Sequence, residues 1–475
     1  MIVCPSIMPA SFPEACRTLR ALRHPHQIVE LRIDQIARID FAELLDGARA
    51  EVIITNRRTS EGGMFRGTAH RQWKILSGAL DSGAEYVDVE LSWGRNFVRR
   101  FVEMYGPERV ICSYHDTRRT PPDLSVIYKQ CRSTGAGTLK IATTANSVSD
   151  NNALFEVLKR ARVDRQPMIG ICMGERGTLS RILGGKFGSW LTFGSPGESQ
   201  HTAPGQLTVS EMNAIFRAGR ITSRTRIFGL VGNPVRHSRG IYFHNAQFRH
   251  QSCDAVYLNF LADDIRDFWT HFHGLITGLS ITMPFKQDII PLLDRVDPEI
   301  ASLRSVNTVI KKRARFIGYN TDYLALVEIL KKRGSLKNKE VVILGTGGIA
   351  RAMSAAALRL GAEVTILSRT ISKARDLAEQ FSCRWGTLED VQQYPCDILM
   401  NATPVGMDGT KSVRQSPVPS SALRKISTVL DAVYNPEITP LLWKARANGC
   451  RIIKGTELFQ RQAHLQSRMF IGALS

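Results

Sequence analysis

The first half of the chain has a rhythm that most constrains its fold. Short apolar, β-branched runs recur at 2–4, 28–33, 52–55, 86–91, 110–113, 138–142, 168–173 and 191–193, and stretches of helical periodicity such as 71–82 and 151–162 fill the gaps. Strands alternating with helices must run parallel, because each return needs a crossover. Eight such units in about 220 residues predict a compact (β/α)8 barrel. An open doubly wound sheet would leave unexplained why polar, chemically capable residues end so many of the runs.

Those residues are Ser6, then Glu30, Arg32 and Asp34, then Arg57, Glu90, His115 and Lys140. A barrel brings the carboxyl ends of its strands to one mouth, so these groups would face a common site. Lys140 lies between apolar neighbours in Thr138-Leu139-Lys140-Ile141-Ala142. Burial there penalises the ammonium and lowers its pKa, which frees an amine to attack a ketone and form a Schiff base. His115 ends the preceding run; as a group that titrates near neutrality it can move protons for the iminium.

Around 210–225 a helical pattern (Met212, Ile215, Phe216) gives way to Arg, Thr and Ser, and a new strand begins at Arg226, which puts a boundary near 223. Two alternating β/α segments follow, one over about 226–321. The next opens with Val341-Val342-Ile343-Leu344, turns at Gly345-Thr346-Gly347-Gly348, enters a helix over 350–360 and returns as Glu363-Val364-Thr365-Ile366-Leu367. Strand, glycine turn, helix, strand is the setting a dinucleotide site requires, with the pyrophosphate on the helix amides. An acid at the end of the second strand would select NAD. Here the residues are Ser368-Arg369-Thr370-Ile371-Ser372-Lys373, basic groups that favour the 2′-phosphate of NADP.

Charge and cysteine content narrow the class. Lys and Arg outnumber Asp and Glu by 63 to 43, a net +20, but the bases are dispersed and no nucleic-acid-binding motif accompanies them. The field suits small anionic substrates rather than nucleic acid. No apolar run approaches the ~18 residues of a membrane span, and the start of the chain lacks the pattern of a secretory signal. Nine unpatterned cysteines fit a reducing compartment and argue against disulfides or a thiolate metal site. The expectation is a cytoplasmic protein.

The same residues carry two resemblances. Glu30-Leu31-Arg32, Thr55-x-Arg57-x-x-x-Glu61-Gly62-Gly63, Ser113-Tyr114-His115-Asp116, Lys140, Ser180-Arg181 and Thr202-Ala203-Pro204-Gly205-Gln206 resemble, in order over about 1–215, the type I 3-dehydroquinate dehydratases. The resemblance implies that Lys140 forms an imine with 3-dehydroquinate, that His115 removes the neighbouring proton and later protonates the departing hydroxyl, and that Glu61 orients His115. It implies that Arg181 pairs with the substrate carboxylate, and that Ser6, Glu30, Arg32, Arg57, Thr202 and Gln206 hold the hydroxyls and the carboxylate. Arg57 and Arg181 would also depress the lysine by like-charge repulsion. Thr202 stands where the family commonly has serine and keeps the hydroxyl.

Gly232-Asn233-Pro234-Val235-Arg236-His237-Ser238, Thr282-Met283-Pro284-Phe285-Lys286, Val306-Asn307-Thr308, Asn320-Thr321-Asp322, Asn401-Ala402-Thr403, Asp431-x-x-Tyr434 and Gly455…Gln462 resemble shikimate dehydrogenase over about 226–475. That resemblance implies Lys286 and Asp322 as the pair that handles the proton on the reacting oxygen while NADPH delivers hydride. Substrate contacts would come from Ser238, Gly240, Thr282, Asn307, Tyr434 and Gln462. The cofactor would lie along Gly345, Thr346, Gly347, Gly348 and Ile349, against Ser368, Arg369, Thr370 and Lys373, with Asn401, Ala402, Thr403, Ala432 and Gly455 lining the far side. The family's first motif usually ends Ser-x-Ser, whereas this chain has Ser238-Arg239-Gly240. The missing hydroxyl is worth about 1 kcal/mol or more, which would weaken shikimate binding or loosen selection against quinate.

In this order the halves resemble the bifunctional fusions of the shikimate pathway. The implied domains are a TIM barrel at 1–222, a substrate-binding domain at 223–321 completed by 455–475, and a Rossmann domain at 322–454. No metal is implied, since the Schiff base serves as electron sink. Two other readings compete: a quinate/shikimate dehydrogenase working in the catabolic direction, and a ligand-sensing regulator without turnover. Intact Lys140, His115, Lys286 and Asp322 speak against the regulator.

Overall fold

The computed structural model describes residues 1–21, 28–236 and 238–474. Each of the eight expected runs becomes a strand: β1 (Ile2–Ile7), β2 (Ile28–Arg32), β3 (Glu51–Thr55), β4 (Tyr86–Glu90), β5 (Val110–His115), β6 (Thr138–Thr144), β7 (Met168–Met173) and β8 (Leu191–Gly194). They lie in the order β7-β6-β5-β4-β3-β2-β1-β8 and pair in parallel from β1 to β7 and between β1 and β8. A bridge between Met168 and Ser189 and a hydrogen bond from the Trp190 amide to the Met168 carbonyl (2.8 Å) bring the last strand back toward β7. The result is a nearly closed (β/α)8 barrel.

Side chains alternate along a strand, so every second residue faces the interior. At the amino-terminal end the inward positions are apolar: Cys4, Ile28, Ile53, Ile111, Ile169 and Leu191 form one buried cluster. Two residues further along, the inward positions of β1 to β6 are polar, namely Ser6, Glu30, Thr55, Asp88, Ser113 and Lys140, while β7 and β8 stay apolar with Ile171 and Phe193. The register confirms a shared layer, with Ser6 opposite Glu30, Thr55 opposite Asp88 and Ser113 opposite Lys140. An apolar plug thus supports a polar floor at the carboxyl end.

The second half forms two sheets. One contains β9 (Arg226–Gly232), β10 (Ala255–Leu261), β11 (Ile276–Ile281), β12 (Arg295–Val296), β13 (Thr308–Lys312) and β14 (Arg315–Tyr319), in the order β10-β9-β11-β13-β14-β12. The expected β/α alternation over 226–321 is only part of this picture, because β11–β13 and β13–β14 are antiparallel. The β13–β14 turn is made by Arg313 and Ala314, both at positive φ (47° and 68°). A hairpin turn of that kind normally announces itself with Asn or Gly, and neither is present.

The other sheet contains β15 (Glu340–Leu344), β16 (Glu363–Leu367), β17 (Arg384–Gly386), β18 (Ile398–Asn401), β19 (Thr428–Asp431) and β20 (Arg451–Ile453). Its order, β17-β16-β15-β18-β19-β20, with all pairings parallel, is the doubly wound Rossmann arrangement. Its switch point lies between β15 and β18. The helix Gly348–Arg359 follows β15.

Overall the described chain divides into two compact units, Met1–Ile227 with Phe248–Leu275, and Phe228–Gln247 with Ile276–Ser475. Among the described residues no helix is long and apolar enough to cross a membrane.

Candidate active sites

Lys140 is buried on β6, and its Nζ lies 3.0 Å from Glu30 Oε1 and 3.0 Å from Asp88 Oδ2. The Phe193 ring covers it at 4.3 Å. Two carboxylates thus contact this lysine, and Arg57, expected near it, shares Asp88 Oδ2 with it. Asp88 and Glu90 sit two residues apart on β4, so both face inward and draw Arg57 to themselves. Arg57 Nη2 donates to Asp88 Oδ2 (2.7 Å), and Nη1 donates to Glu90 Oε1 (3.2 Å) and Ser113 Oγ (2.9 Å). Expected to hold substrate, Arg57 has both terminal nitrogens engaged by the protein. Burial opposes ionisation of Asp88, but Arg57 and then Lys140 outweigh it and hold the acid far below the usual carboxylate range.

Glu30 also faces Lys140, and its other hydrogen-bond donors are hydroxyls: Ser6 Oγ at 2.5 Å and Thr55 Oγ1 at 3.0 Å. Burial would raise it, yet Lys140 and Arg32 bring it below its ordinary value. Ser6 Oγ in turn meets Thr202 Oγ1 at 2.9 Å, and the Thr202 amide donates to Gln206 Oε1 at 2.7 Å. The loop after β8 is therefore tied to the barrel floor. Arg32 is engaged bidentately by Asp34 (2.8 and 2.9 Å).

His115 ends β5, and its Nδ1 lies 2.8 Å from Glu61 Oε2. Glu61 reaches this position because the chain folds back over β3 at Gly62-Gly63. Gly62 has a φ of +82°, and a Cβ on Gly63 would stand 2.1 Å from the Arg57 carbonyl oxygen. Burial, reinforced by Arg57 and Lys140, pulls His115 well below its ordinary value, whereas burial pushes Glu61 up to about 7. The group of this pair that titrates near neutrality is thus Glu61, not His115 as the sequence reading had it. A neutral imidazole with an open Nε2 can accept a proton.

Arg181 is fully buried on the helix Thr178–Phe187, where Nη1 donates to the Phe193 carbonyl (3.2 Å) and Nη2 to the Pro204 carbonyl (3.4 Å). Its Nε and the nearby Gln206 Nε2 are buried without a partner, and among the described residues no carboxylate pairs with the guanidinium. Burial draws it down to about 10. A desolvated cation with open donors is a receptor for an anion. Phe193 joins this receptor to Lys140, with its carbonyl on one and its ring on the other.

In the second half, Lys286 Nζ donates to Asp322 Oδ2 at 2.6 Å. Asp322 stands in the first turn of the helix Thr321–Lys331, which Asn320 caps by accepting from the Tyr323 amide. Asn307, expected to contact substrate, directs its Oδ1 to the Thr321 amide (2.8 Å) and the Thr308 hydroxyl (2.8 Å). That oxygen clamps the site, and only its Nδ2 is left for a ligand. Gln462 Oε1 lies 3.3 Å from Thr321 Oγ1. Tyr434 is partly buried against Phe459 at 5.2 Å. Thr282 follows β11, and Ser238 Oγ accepts from the Gly240 amide at the start of the helix Gly240–His250. His237 of that motif lies outside the described residues.

The glycine turn fits a dinucleotide. Gly345 has a φ of +111°, and a Cβ there would crowd Ala402 and Thr403 at 3.2–3.3 Å, so the backbones after β15 and β18 approach closely at the switch point. Gly347 caps the Gly348–Arg359 helix without a side chain, leaving its first amides, including that of the half-buried Ile349, for a ligand. Thr346 flanks them. A Cβ on Gly348 would stand 2.8 Å from Lys286 Cδ and 3.2 Å from Ser305 Oγ, and the Ser305 hydroxyl is buried without a partner. Cradle and orphan donor together suit a phosphate-bearing group.

At the end of β16, Ser368 is buried and accepts from the Thr370 amide, while Arg369, Thr370 and Lys373 are exposed. Asn401 and Thr403 are hydrogen-bonded to each other, and Asn401 also donates to Asp431 (2.9 Å), whose carboxyl burial pushes up to about 6. These hold the loop in shape. Ala402 and Ala432 are partly exposed beside it, and Gly455 is packed so closely that a Cβ would meet the Val433 carbonyl at 2.2 Å.

Asp88, Ser113 and Ser305 were not expected. Asp88 and Ser113 carried a usable signal, since they share the strand phases of Glu90 and His115. Ser305 is a small hydroxyl residue with none.

Comparisons with known proteins agree with this geometry. Family models match in series: Type I 3-dehydroquinase over residues 3–223, the shikimate dehydrogenase substrate binding domain over 230–309, and Shikimate / quinate 5-dehydrogenase over 328–406. A bifunctional 3-dehydroquinate dehydratase/shikimate dehydrogenase of Arabidopsis thaliana, described as chloroplastic, is 33% identical over 99% of this chain and 82% of its own length. The shikimate biosynthesis protein AroDE of Chlamydia pneumoniae is 29% identical over 98% and 94%. A shikimate dehydrogenase (NADP(+)) of Pyrococcus abyssi is 35% identical over 52% of this chain and 92% of its own. A barrel built around a buried lysine, a Rossmann unit behind a Lys–Asp pair and a bifunctional relative aligned along nearly the whole chain lead to one assignment: the chain belongs to the bifunctional 3-dehydroquinate dehydratase/shikimate dehydrogenase family.

Proposed function

We propose that this chain dehydrates 3-dehydroquinate to 3-dehydroshikimate in its barrel and reduces that product to shikimate with NADPH in its second half. The observation that carries the reading is the barrel floor, where Phe193 joins Lys140 to an anion receptor without a counter-ion and His115 ends the strand beside that of Lys140. Lys140 attacks the ketone and becomes an iminium. His115, held by Glu61, removes the proton on the adjacent carbon and returns it to the departing hydroxyl. Arg181 and Gln206 take the carboxylate. Ser6, Thr202 and Arg32 border the hydroxyls, and Arg57 adds its charge to the burial that keeps His115 neutral.

In the second site, the amides of Gly347, Gly348 and Ile349 and the side chains of Arg369 and Lys373 would hold NADPH, which supplies hydride when bound. Lys286 and Asp322 hold and move the proton at the carbonyl oxygen, stabilising charge as it develops there. Thr282, Asn307 Nδ2, Tyr434 and Gln462 orient the substrate. The substrates are small carboxylates, drawn by a net charge of +20, and nine unpaired cysteines suit the cytoplasm. Nucleic acid and membranes have no part in this reading.

Gly240 favours a second reading for the dehydrogenase alone, acceptance of quinate, because its backbone offers no hydroxyl where the family motif has one. The test is a pair of variants. Lys140→Met abolishes dehydration and leaves shikimate oxidation by NADP+ intact, and Asp322→Asn does the reverse. Normal dehydration by Lys140→Met would overturn the assignment of the barrel.

A further inference from the structure

We propose that Arg304 and Ser305, in the segment before β13, complete the pyrophosphate site of the cofactor, Ser305 by donating its hydroxyl to a phosphate oxygen and Arg304 by its charge. This rests on the reading of the second half as an NADPH site.

The segment is laid along the cofactor helix Gly348–Arg359. At the carboxyl end of that helix Arg359 pairs with Glu299 (3.6 Å), which belongs to the short helix Pro298–Leu303. Gln380, on the helix Ile371–Phe381, donates to the Ser302 carbonyl (2.5 Å). At the amino end a Cβ on Gly348 would stand 3.2 Å from Ser305 Oγ. The segment therefore ends beside the turn whose amides have no partner within the helix.

Ser305 is 1% exposed, and among the described residues its hydroxyl has no partner. Its carbonyl accepts from Asn320 Nδ2 (2.8 Å), so the backbone is fixed and only the side chain is left over. A buried, unpartnered hydroxyl is unfavourable, and a phosphate oxygen on the neighbouring amides would accept from it. Lys286, the other side chain against Gly348, directs its Nζ to Asp322 (2.6 Å); like the amides it is a donor, so the group that fits among them is an acceptor.

Arg304 adds charge to the same end. It is held at a φ of +46°, where glycine would sit without strain and a longer residue does not. Among the described residues no carboxylate pairs with it. The same holds for Arg351, one turn into the cofactor helix, whose guanidinium meets the side-chain oxygen of Gln380 and, with that amide turned toward it, of Gln287. Burial, and after it the charge of Arg304, hold Arg351 below its ordinary value. Two guanidiniums without a counter-ion thus reinforce the positive end of the helix dipole, a field that a pyrophosphate would neutralise.

The test is calorimetry of NADPH binding in the absence of substrate, with urea unfolding as the control for the fold. Ser305→Ala removes a hydroxyl the protein does not use, so stability holds while NADPH binds about tenfold more weakly, the worth of one hydrogen bond to a charged group. Arg304→Gly relieves the positive φ and weakens NADPH about three- to fivefold, as for an exposed ion pair, and raising the salt to about 0.5 M shrinks that difference. Arg304→Gln, which keeps the stem without the charge, repeats the loss if glycine unsettles the loop. 2′-AMP, which carries the 2′-phosphate but no pyrophosphate, binds parent and variants alike. Unchanged NADPH affinity on substitution of either residue, or 2′-AMP weakened as much as NADPH, would overturn the proposal and make both residues parts of the turn. Failure of the parent to bind NADPH would instead overturn the reading of the second half.

Discussion

Arg181→Met separates binding from architecture, because the two readings of this residue differ in sign. The guanidinium is wholly buried and drawn down to about 10. At about 1.4 kcal/mol per tenfold change in proton affinity, holding it charged at neutral pH costs the fold about 3 kcal/mol relative to its ordinary value above 12. The sign follows from the direction of the shift. A base with lowered affinity destabilises the fold fully below its folded value, and the penalty is relieved only as pH rises through about 10. Methionine removes the charge at similar volume but abandons two long bonds to the Phe193 and Pro204 carbonyls (3.2 and 3.4 Å), a loss of about 1–2 kcal/mol in all. The barrel should therefore be as stable as the parent or up to about 2 kcal/mol more stable. Breaking a charge-assisted pair with a carboxylate costs ~3–4 kcal/mol, which lowers dehydratase kcat/KM by about 10²–10³-fold. Urea unfolding and initial rates with 3-dehydroquinate measure the two quantities. A barrel destabilised by more than about 2 kcal/mol with kcat/KM nearly unchanged would make Arg181 a strut and refute the reasoning.

Two further variants test the account. Because burial raises Glu61 to about 7, the folded state retains a proton that the unfolded chain loses near 4–5, so this group's contribution falls as pH rises between those values. Glu61→Gln should then gain stability relative to the parent between pH 5 and pH 8, by up to about 3 kcal/mol, while dehydration slows; a pH-independent difference in urea midpoint would contradict the assignment. Gly240→Ser should tighten shikimate binding about fivefold, the worth of one hydrogen bond near 1 kcal/mol, as read by calorimetry. Unchanged affinity would remove Gly240 from the substrate contacts.

The barrel was legible because its strands are buried on both faces and read as continuous apolar runs, and the polar layer was legible because it breaks those runs in phase. The direction of the layer's contacts was not. Lys140 between apolar neighbours says nothing of the acids across the barrel, and Asp88 looks like any acid on a strand until the interior face is known. Arg57 and Asn307 show the complementary difficulty: a polar residue in the right place serves a ligand or braces the groups that do, and only the partners of its atoms decide. The Arg313–Ala314 hairpin was hidden for a local reason, since its turn lacks the residues that favour positive φ.

The most direct test of the central claim supplies the purified chain with 3-dehydroquinate and either NADPH or NADH, following 3-dehydroshikimate and cofactor oxidation together. The account predicts that shikimate appears, with NADPH preferred because Arg369 and Lys373 stand where an acid would select NADH. Accumulating 3-dehydroshikimate with neither cofactor oxidised would contradict the account in its second half, and 3-dehydroquinate left unchanged would contradict it at Lys140.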